Sequence, residues 1–317
     1  MTIKPPLYIL TGPTASGKTA VSIACAKAMD GEIISADAFQ IYRGLDIGSA
    51  KPTNSEKQGI AHHLIDVADP KDATFSVTRF RELAFDAALD ITARGKAPLV
   101  TGGTGLYINA LTYPLAFSPA APNEALRARL SEMELVKKGS AHDLLREKDP
   151  STAQRLHPND VKRVIRALEI MEATGKPASE LSPGFTKRDD DALPFRPVMA
   201  GLTMPRELLY ERIEKRVDVM FSAGLVEEVR GLLQAGVNAN LPAMQGLGYK
   251  ETAAFLAGRC TLEEAVDAIK RETRRFAKRQ LTWFRREERI CWFDITQYPT
   301  AQALSMDIAD YFLSQRD

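Results

Sequence analysis

Short apolar runs alternate with longer amphipathic segments in the first hundred residues. The runs Leu7–Leu10, Glu32–Ser35 and Ala97–Thr101 have the length and composition of buried strands. Between them, residues 20–29 and 77–94 carry apolar positions at helical spacing. Because strands that alternate with helices usually form a parallel sheet, this pattern predicts an α/β core.

The pattern changes further along the chain. Residues 120–180 are strongly helical in pattern and punctuated by prolines, and residues 182–191 form a polar, turn-rich stretch. Strand character returns at Val198–Leu202, and the chain is again mostly helical from Arg206 onward. We therefore predict an α/β core formed by residues 1–115 and 197–317, interrupted by a helical insertion domain of residues 116–196.

Composition restricts the class of protein only slightly. The 317 residues carry a formal net charge of +1, so any basic surface that binds nucleic acid must be local. The three cysteines, Cys25, Cys260 and Cys291, are far apart and include no Cys-x-x-Cys pair, which fits a reducing compartment. The N-terminus does not resemble a signal peptide, and no apolar run approaches the roughly 18 residues of a membrane span. We expect a cytoplasmic protein that does not bind membranes.

A phosphate-binding loop follows the first predicted strand. The segment matches the pattern G-x-x-x-x-G-K-[ST] in full and opens a predicted helix, which is the structural context that the motif requires. Backbone N–H groups of such a loop surround phosphate oxygens, the lysine neutralises charge, and the threonine hydroxyl can bind Mg²⁺. The motif indicates a diphosphate or triphosphate without specifying ATP. Its residues are Gly12, Pro13, Thr14, Ala15, Ser16, Gly17, Lys18 and Thr19.

Polar residues also follow the second and third predicted strands. Asp37 comes directly after the second strand, and Thr104 lies in the glycine-rich segment 102–107 after the third. Ligands of open α/β sheets bind at the carboxyl ends of the strands, so both residues are expected near the phosphate loop. Asp37 can hold a metal ion, accept a proton or cap a helix. Thr104 can face the site or belong to a plain turn.

The segment 270–289 is a concentrated basic patch. It contains nine basic and three acidic residues, although the whole chain is close to neutral. Arg271, Arg274, Lys278 and Arg285 fall on one helical face. Phe276 and Trp283 share another face. Such a helix suits a nucleic-acid backbone, and a solvated surface helix is the alternative.

A second, smaller basic cluster lies in the predicted insertion. Lys162 and Arg166 are one helical turn apart, and Arg163 lies beside them. These side chains can grip phosphate together, or they can form an ordinary solvated helix surface.

Eight segments distributed in order along almost the whole chain resemble one family, the tRNA dimethylallyltransferases, also called tRNA isopentenyltransferases. The sequence departs from the family pattern at Ala38, where serine is usual, which removes one hydroxyl contact to RNA. The matching segments are residues 12–19, 37–42, 46–52, 62–66, 102–107, 159–169, 245–251 and 278–285.

The resemblance implies a fold and a function. The fold would be a P-loop NTPase-like parallel sheet core with a helical insertion domain, and tRNA would bind in a channel between them. The activity would be transfer of a dimethylallyl group from dimethylallyl diphosphate to N6 of the adenosine 3′ of the anticodon. The phosphate loop would hold the donor's diphosphate rather than consume ATP. The resemblance favours a bacterial-type, monomeric enzyme that binds the tRNA anticodon stem-loop.

The resemblance also assigns roles to residues. Asp37 would be the general base, Lys18 and Arg216 would neutralise the diphosphate, Thr104 would face the reaction channel, and Thr19 would bind Mg²⁺. The family's tRNA contacts carry over to Asp37, Ala38, Phe39, Gln40, Thr104, Lys162, Arg163, Val164, Ile165, Arg166, Gln245, Gly246, Leu247, Gly248, Tyr249, Lys250, Lys278, Arg279, Gln280, Leu281, Thr282, Trp283, Phe284 and Arg285.

Three other functions share some of these features. An adenylate dimethylallyltransferase would use the same loop and Asp37, but a free nucleotide needs neither the basic helix nor the long insertion. A P-loop kinase would turn over ATP without an isoprenoid. An RNA-binding NTPase without transfer chemistry would bind RNA tightly and form no product.

Overall fold

The computed structural model describes residues 4–114, 123–181 and 192–316. The chain divides into two compact units, Met1–Thr112 with Leu193–Asp317, and Tyr113–Ala192. The assignment of residues 116–196 as an inserted domain stays a prediction, and the turn-rich segment at 182–191 lies outside the described residues.

The first unit contains a six-stranded parallel sheet, which confirms the predicted α/β core. The strand order is β3-β2-β4-β1-β5-β6, with Tyr8 of β1 in register with both Leu99 of β4 and Val198 of β5. The strands are β1 (Pro6–Thr11), β2 (Gly31–Ser35), β3 (His62–His63), β4 (Ala97–Gly102), β5 (Arg196–Thr203) and β6 (Ile290–Asp294).

Fourteen α-helices lie in the described part of the chain. In chain order, those before the second unit are α1 (Lys18–Ala28), α2 (Asn54–Lys57), α3 (Val77–Ala93) and α4 (Gly105–Thr112). Those of the second unit are α5 (Glu124–Val136), α6 (Ser140–Lys148), α7 (Pro150–Arg155), α8 (Val161–Thr174) and α9 (Ala178–Leu181). The remaining helices are α10 (Arg206–Ser222), α11 (Leu225–Gln234), α12 (Tyr249–Leu256), α13 (Leu262–Phe284) and α14 (Ala301–Ser314).

The sheet is buried on both faces because successive strand residues point to opposite sides. Ile9 and Ile34 pack with Phe80 of α3 and Ile108 of α4. On the opposite face, Leu10 packs in the cluster that covers the sheet with α1 and α14. Burial of both faces explains why the strands read as continuous apolar runs rather than alternating ones.

The second unit has its own core of leucine, valine and alanine side chains from α5 to α9. A buried carboxylate, Glu169 of α8, lies beside that core and accepts hydrogen bonds from Asn123 N–H and the guanidinium groups of Arg127 and Arg166. These hydrogen bonds lower the pKa of Glu169, although burial alone would raise it.

Two features near the C-terminus differ from the sequence pattern. Helix α13 ends at Phe284 with Arg285 as its C-cap, so residues 286–289 lie outside the helix. The following strand, β6, pairs with β5 at the sheet edge. The sequence pattern did not predict β6, because this strand has only five residues and lies within a region that was predicted to be mostly helical.

Candidate active site

Three loops meet at the carboxyl edge of the sheet because β4 lies between β1 and β2. The phosphate loop follows β1, Asp37 follows β2, and Thr104 follows β4. The Oγ1 atom of Thr104 accepts a hydrogen bond of 3.1 Å from the backbone N–H of Ala38, and Thr104 N–H donates to Ala36 O at 3.3 Å. The predicted proximity of Asp37 and Thr104 therefore agrees with the geometry of the described loops.

The phosphate loop folds closely against the neighbouring strands. Gly12 has φ +148°, and a Cβ added to it would lie 2.9 Å from the carbonyl oxygen of Leu202 in β5. Gly17 has φ +92° and immediately precedes α1. Glycine is required at both positions, since left-handed backbone is strained for other residues. The loop consequently brings the N-terminus of α1 to the site, where it favours an anion.

Lys18 folds back across its own loop. Its ammonium donates a hydrogen bond of 2.7 Å to the carbonyl oxygen of Pro13. The pKa of Lys18 is lowered to about 7, mainly by desolvation and also by the nearby Arg216, while Asp37 opposes the shift. The ammonium thus lies where a cation is costly and an anion would stabilise it.

A cavity of about 140 Å³ lies over the phosphate loop. Its lining combines the cations Lys18 and Arg216, the Asp37 carboxylate and the end of β4. The lining residues that matter most here are Thr14, Lys18, Thr19, Asp37, Thr101, Arg216 and Gln280.

Arg216 of α10 contributes the second cation. Its side chain is half-buried, and it makes no ion pair with a carboxylate in the described ranges. Desolvation lowers the pKa of Arg216, and Asp37 counteracts that shift. With Lys18, it places two cations in a cavity whose lining includes one carboxylate.

Asp37 is held in place by its own loop. Its Oδ1 accepts hydrogen bonds from the backbone N–H groups of Phe39 at 2.8 Å and Gln40 at 3.3 Å. These contacts close a turn and not a helix, so the helix-cap interpretation does not apply. Its Oδ2 makes no hydrogen bond to any residue that the structure describes, and the residue lines the cavity. One oxygen is thus committed to the loop and the other is available for a ligand.

A larger, more apolar cavity of about 290 Å³ adjoins the first, with Thr14, Asp37 and Arg216 lining both. Phe276 also lines both cavities, and its part in the site was not anticipated from sequence. Further lining comes from Phe39, Ser49, Ile213, Val217, Met220, Gln245, Leu247, Tyr249, Lys250 and Arg279.

One wall of this cavity is fixed by Glu228 and Tyr249. The carboxylate of Glu228 accepts hydrogen bonds from the backbone N–H groups of Asp46, Ile47 and Gly48. The hydroxyl of Tyr249 donates to Glu228 at 2.7 Å and accepts from the Ser49 N–H at 3.1 Å. Sequence reasoning missed Glu228, because nothing local distinguishes it from other acidic residues of a surface helix.

The predicted RNA-contact segment 245–250 has two kinds of residue. Gln245 and Lys250 are exposed, whereas Tyr249 is buried and holds the neighbouring loop. Gly246 allows close packing, since an added Cβ would lie 2.8 Å from the Phe39 ring.

Helix α13 combines buried and exposed residues within the predicted segment 278–285. Phe284 is buried in the core beside the sheet, and Leu281 is half-buried. Trp283 packs against Gly105 and donates to Asn109 Oδ1 at 3.4 Å. Phe284 is buried and packs in the core, whereas Leu281 and Trp283 are half-buried, and the RNA contacts of this segment stay a prediction.

The cations of α13 differ in their partners. Arg271 and Arg274, two of the four residues predicted to share a basic face, form ion pairs with Glu272 and Glu214. Lys278, Arg279 and Arg285 are exposed and make no ion pair within the described residues. Available positive charge therefore concentrates at the C-terminal end of the helix.

The basic cluster of α8 is similarly divided. Lys162 and Arg163 are exposed, and Arg163 lies 3.4 Å from Asp160. Arg166 pairs with the buried Glu169. Val164 and Ile165 face the core of the second unit.

The sheet topology, the phosphate loop and the desolvated cations define a P-loop protein of the α/β class whose site is built for an anion. The sequence model of the family described as IPP transferase matches residues 40–287. The chain belongs to this family.

Similar proteins extend over nearly the whole chain. A tRNA dimethylallyltransferase of Desulforudis audaxviator is 53% identical over 298 residues, covering 94% of each chain. One from Bacillus licheniformis is 44% identical, covering 97% of this chain and 96% of the relative. The crystal structure of a tRNA isopentenylpyrophosphate transferase from Bacillus halodurans is 42% identical, with a TM-score of 0.72 and coverage of 98% and 96%.

A eukaryotic dimethylallyltransferase acting on tRNA superposes with a TM-score of 0.80 at 29% identity, covering 99% of this chain and 80% of that one. No helix in the described part of the chain is both long and apolar enough to cross a membrane.

Proposed function

We propose that the protein transfers a dimethylallyl group from dimethylallyl diphosphate to N6 of the adenosine 3′ of the anticodon in tRNA. The product is i6A, and diphosphate is released. The observation that carries the proposal is the pair of desolvated cations, Lys18 and Arg216, beside an Asp37 carboxylate with one unengaged oxygen. Family membership supports the same chemistry.

The donor half of the reaction uses the phosphate loop. Its backbone N–H groups, Lys18 and Arg216 hold the diphosphate and neutralise the charge that develops as the allylic C–O bond breaks. Because the groups are fixed in a desolvated cavity, they stabilise that charge without reorganising, which is usually the largest catalytic contribution.

The acceptor half uses Asp37. The exocyclic N6 of adenosine is a weak nucleophile, since its lone pair is delocalised into the ring. As the new bond forms between N6 and the allylic carbon, the N6 proton moves to Asp37 and the electrons of the C–O bond leave with the diphosphate. A positioned general base typically contributes about 10²- to 10⁴-fold. Thr104 is hydrogen-bonded to the backbone N–H of Ala38, next to Asp37, and would line the path of the target adenine.

The residues at the diphosphate site fit Mg²⁺. The ion prefers oxygen ligands, and keeps several waters while binding substrate phosphates. Thr19 is an exposed residue that lines the cavity, and the buried Oγ1 of Thr101 has no hydrogen-bond partner in the described structure. When bound there, Mg²⁺ would neutralise charge on the leaving diphosphate. No described group of three or more His, Cys, Asp or Glu residues forms a metal site, so the donors would be hydroxyls, substrate and water.

RNA binding would use the exposed cations. Lys278 and Arg279 of α13, its C-cap Arg285 and Lys162 of α8 are exposed without an ion pair among the described residues. We propose that they bind phosphate oxygens of an anticodon stem-loop. The target adenosine has to leave its stack to reach Asp37, at a cost of roughly a few kcal/mol. A single chain supplies all the proposed catalytic groups, so a monomer in the cytoplasm, where tRNA is modified, is sufficient.

The test is an incubation of purified protein with Mg²⁺, radiolabelled dimethylallyl diphosphate and unmodified tRNA that carries adenosine after the anticodon. AMP and ATP are tested in parallel. Label in tRNA that disappears in the Asp37→Asn variant supports the proposal. Label in free nucleotide alone identifies an adenylate dimethylallyltransferase, and ATP turnover without transfer identifies a kinase.

A further inference from the structure

We propose that Gln280 is a positioning residue that couples RNA binding on helix α13 to diphosphate binding at the phosphate loop, so that each ligand strengthens the other. The proposal rests on the proposed function, because it takes RNA and an allylic diphosphate as the two ligands. It assigns to Gln280 a task distinct from contact with RNA.

Gln280 joins two loops of the site through its side-chain amide. The backbone N–H of Thr14 donates a hydrogen bond of 2.9 Å to its Oε1. Its Nε2 donates a hydrogen bond of 2.8 Å to the carbonyl oxygen of Gly103. One side chain thus holds Thr14, which lies 266 positions away in sequence, and Gly103, which lies 177 positions away. This side chain is buried, since Gln280 is only 7% exposed.

The fit around this amide is close. A Cβ added to Gly103 would lie 2.3 Å from Gln280 Nε2, and the same residue is followed directly by Thr104. Gln280 also lines the 140 Å³ cavity beside Lys18. A shift of this side chain therefore moves both the diphosphate loop and the loop that carries Thr104.

The same helix turn points exposed cations in other directions. Lys278 is two residues from Gln280, which rotates its side chain by about 200° around the helix axis. Lys278 and Arg279 are exposed and make no ion pair within the described residues. RNA that contacts Lys278 and Arg279 would hold α13 in place. Another side of the same helix carries Gln280, which is hydrogen-bonded to the phosphate loop.

Lys18 supplies the element that responds. Its ammonium is bonded to Pro13 O in the same loop that Gln280 holds at Thr14. Diphosphate binding exchanges that bond for contacts with phosphate oxygens, and the loop must keep its shape during the exchange. When RNA holds α13 in place, the hydrogen bond from Thr14 to Gln280 preserves the shape of the loop. Thermodynamic linkage requires that diphosphate strengthen RNA binding by the same factor.

The experiment measures the dissociation constant of inorganic diphosphate with Mg²⁺ by calorimetry, with and without saturating anticodon stem-loop RNA. In the natural protein we expect RNA to tighten diphosphate binding by roughly 5- to 150-fold, the usual range of such coupling. In Gln280→Met, which keeps the length and loses both hydrogen bonds, we expect that ratio to fall to near one. RNA affinity measured alone should change by less than about threefold, because the variant leaves the exposed cations intact.

Gln302→Met is the matched control. Gln302 is exposed on α14, so the same substitution there should leave the ratio unchanged. A Gln280→Met variant that retains the natural ratio would overturn the proposal, as would a natural protein in which RNA leaves diphosphate affinity unchanged.

Gly103→Ala tests the same contact from its other side and covers the case in which Gln280→Met fails to fold. The added methyl displaces Gln280 Nε2 and should also reduce the ratio. The double variant should show little further reduction of the ratio, because both substitutions break the same contact between Gln280 and Gly103. Full additivity contradicts the proposal.

Failure of the proposed function has a separate signature. A natural protein that shows coupling but transfers no dimethylallyl group to RNA removes the proposed reaction and leaves the role of Gln280 intact. Transfer that occurs normally while Gln280→Met keeps the natural ratio removes only the role of Gln280.

Discussion

The ammonium of Lys18 and the carbonyl oxygen of Pro13 are joined by a hydrogen bond of 2.7 Å that spans the phosphate loop from inside. The lysine thereby satisfies a buried carbonyl and remains in a desolvated cavity beside Arg216. A bound diphosphate has to compete with Pro13 for this ammonium. The diphosphate also provides negative charge beside the two neighbouring cations, Lys18 and Arg216.

This arrangement predicts pH-dependent diphosphate binding. The folded-state pKa of Lys18 is about 7, below its usual value, so the ammonium loses its proton as pH rises through neutrality. Diphosphate favours the charged form, and binding above pH 7 should therefore take up a proton and weaken as pH increases to 9. Calorimetry in buffers of different ionisation enthalpy measures the uptake. Lys18→Met corrects for titration of the ligand itself, and equal uptake in both proteins would contradict the assignment.

Protein stability should show the corresponding trend. Because the pKa of Lys18 is lower in the folded state than in the unfolded chain, the unfolded chain binds the extra proton between about pH 7 and the normal lysine pKa. The contribution of Lys18 to the free energy of unfolding should therefore rise with pH in this window. Urea denaturation of the natural protein and Lys18→Met at pH 7 and 9 measures it. A contribution that falls with pH is the opposite result.

Asp37→Asn should separate catalysis from binding. The asparagine Oδ1 can still accept the hydrogen bonds from Phe39 and Gln40, so the turn is preserved while the base is lost. We expect single-turnover transfer to fall about 10²- to 10⁴-fold. The dissociation constants of tRNA and donor should change by only a few-fold. Equal losses of rate and affinity would remove the role of Asp37 as general base.

Tyr249→Phe should destabilise the cavity wall. The substitution leaves the Ser49 N–H without its acceptor and removes one of the donors to Glu228. Since these groups are partly or fully buried, the free energy of unfolding should fall by about 1–3 kcal/mol. Tyr210→Phe is the control, because the Tyr210 ring packs against arginines without a hydroxyl hydrogen bond in the described structure. A loss no larger than that of the control would show that the Glu228–Tyr249 pair does not stabilise this wall.

The unpaired cations of α13 should control the salt dependence of RNA binding. Lys278→Ala removes one phosphate contact and should reduce the slope of log Kd against log salt by about 1. The reduction should be nearly independent of RNA sequence, because phosphates carry no base information. Arg79→Ala provides the control, since Arg79 is exposed on α3 and already paired with Glu82. Identical slopes for Lys278→Ala and the natural protein would exclude this contact.

Local spacing and sheet topology predicted the main parts of the site. The phosphate loop is contiguous in sequence, and the rule that ligands bind at the carboxyl ends of parallel strands placed Asp37 and Thr104 beside it. The predicted strands at 7–10, 32–35, 97–101 and 198–202 are confirmed. These inferences needed only nearest neighbours and element order.

The contacts of Gln280, Glu228 and Arg166 depend on information that a sequence pattern lacks. Gln280 stands among basic residues, and only the packing of α13 decides that its side faces the phosphate loop. Glu228 meets backbone N–H groups about 180 residues away. Arg166 has an acidic residue one turn along, but the burial of Glu169 is set by the surrounding core. Only the fold therefore shows which basic residues of a motif are accessible to RNA and which form structural ion pairs.

The position of β1 between β4 and β5 has a consequence for synthesis on the ribosome. The phosphate loop is translated early, but one neighbour of its strand, β5, emerges only after residue 203, and Arg216 and Gln280 follow later still. A nascent chain that exposes the loop thus lacks one of the two cations and the amide that holds Thr14. The cavity over the loop is lined by residues from both sides of the second unit, so a chain translated only as far as residue 203 carries the phosphate motif without Arg216 and Gln280.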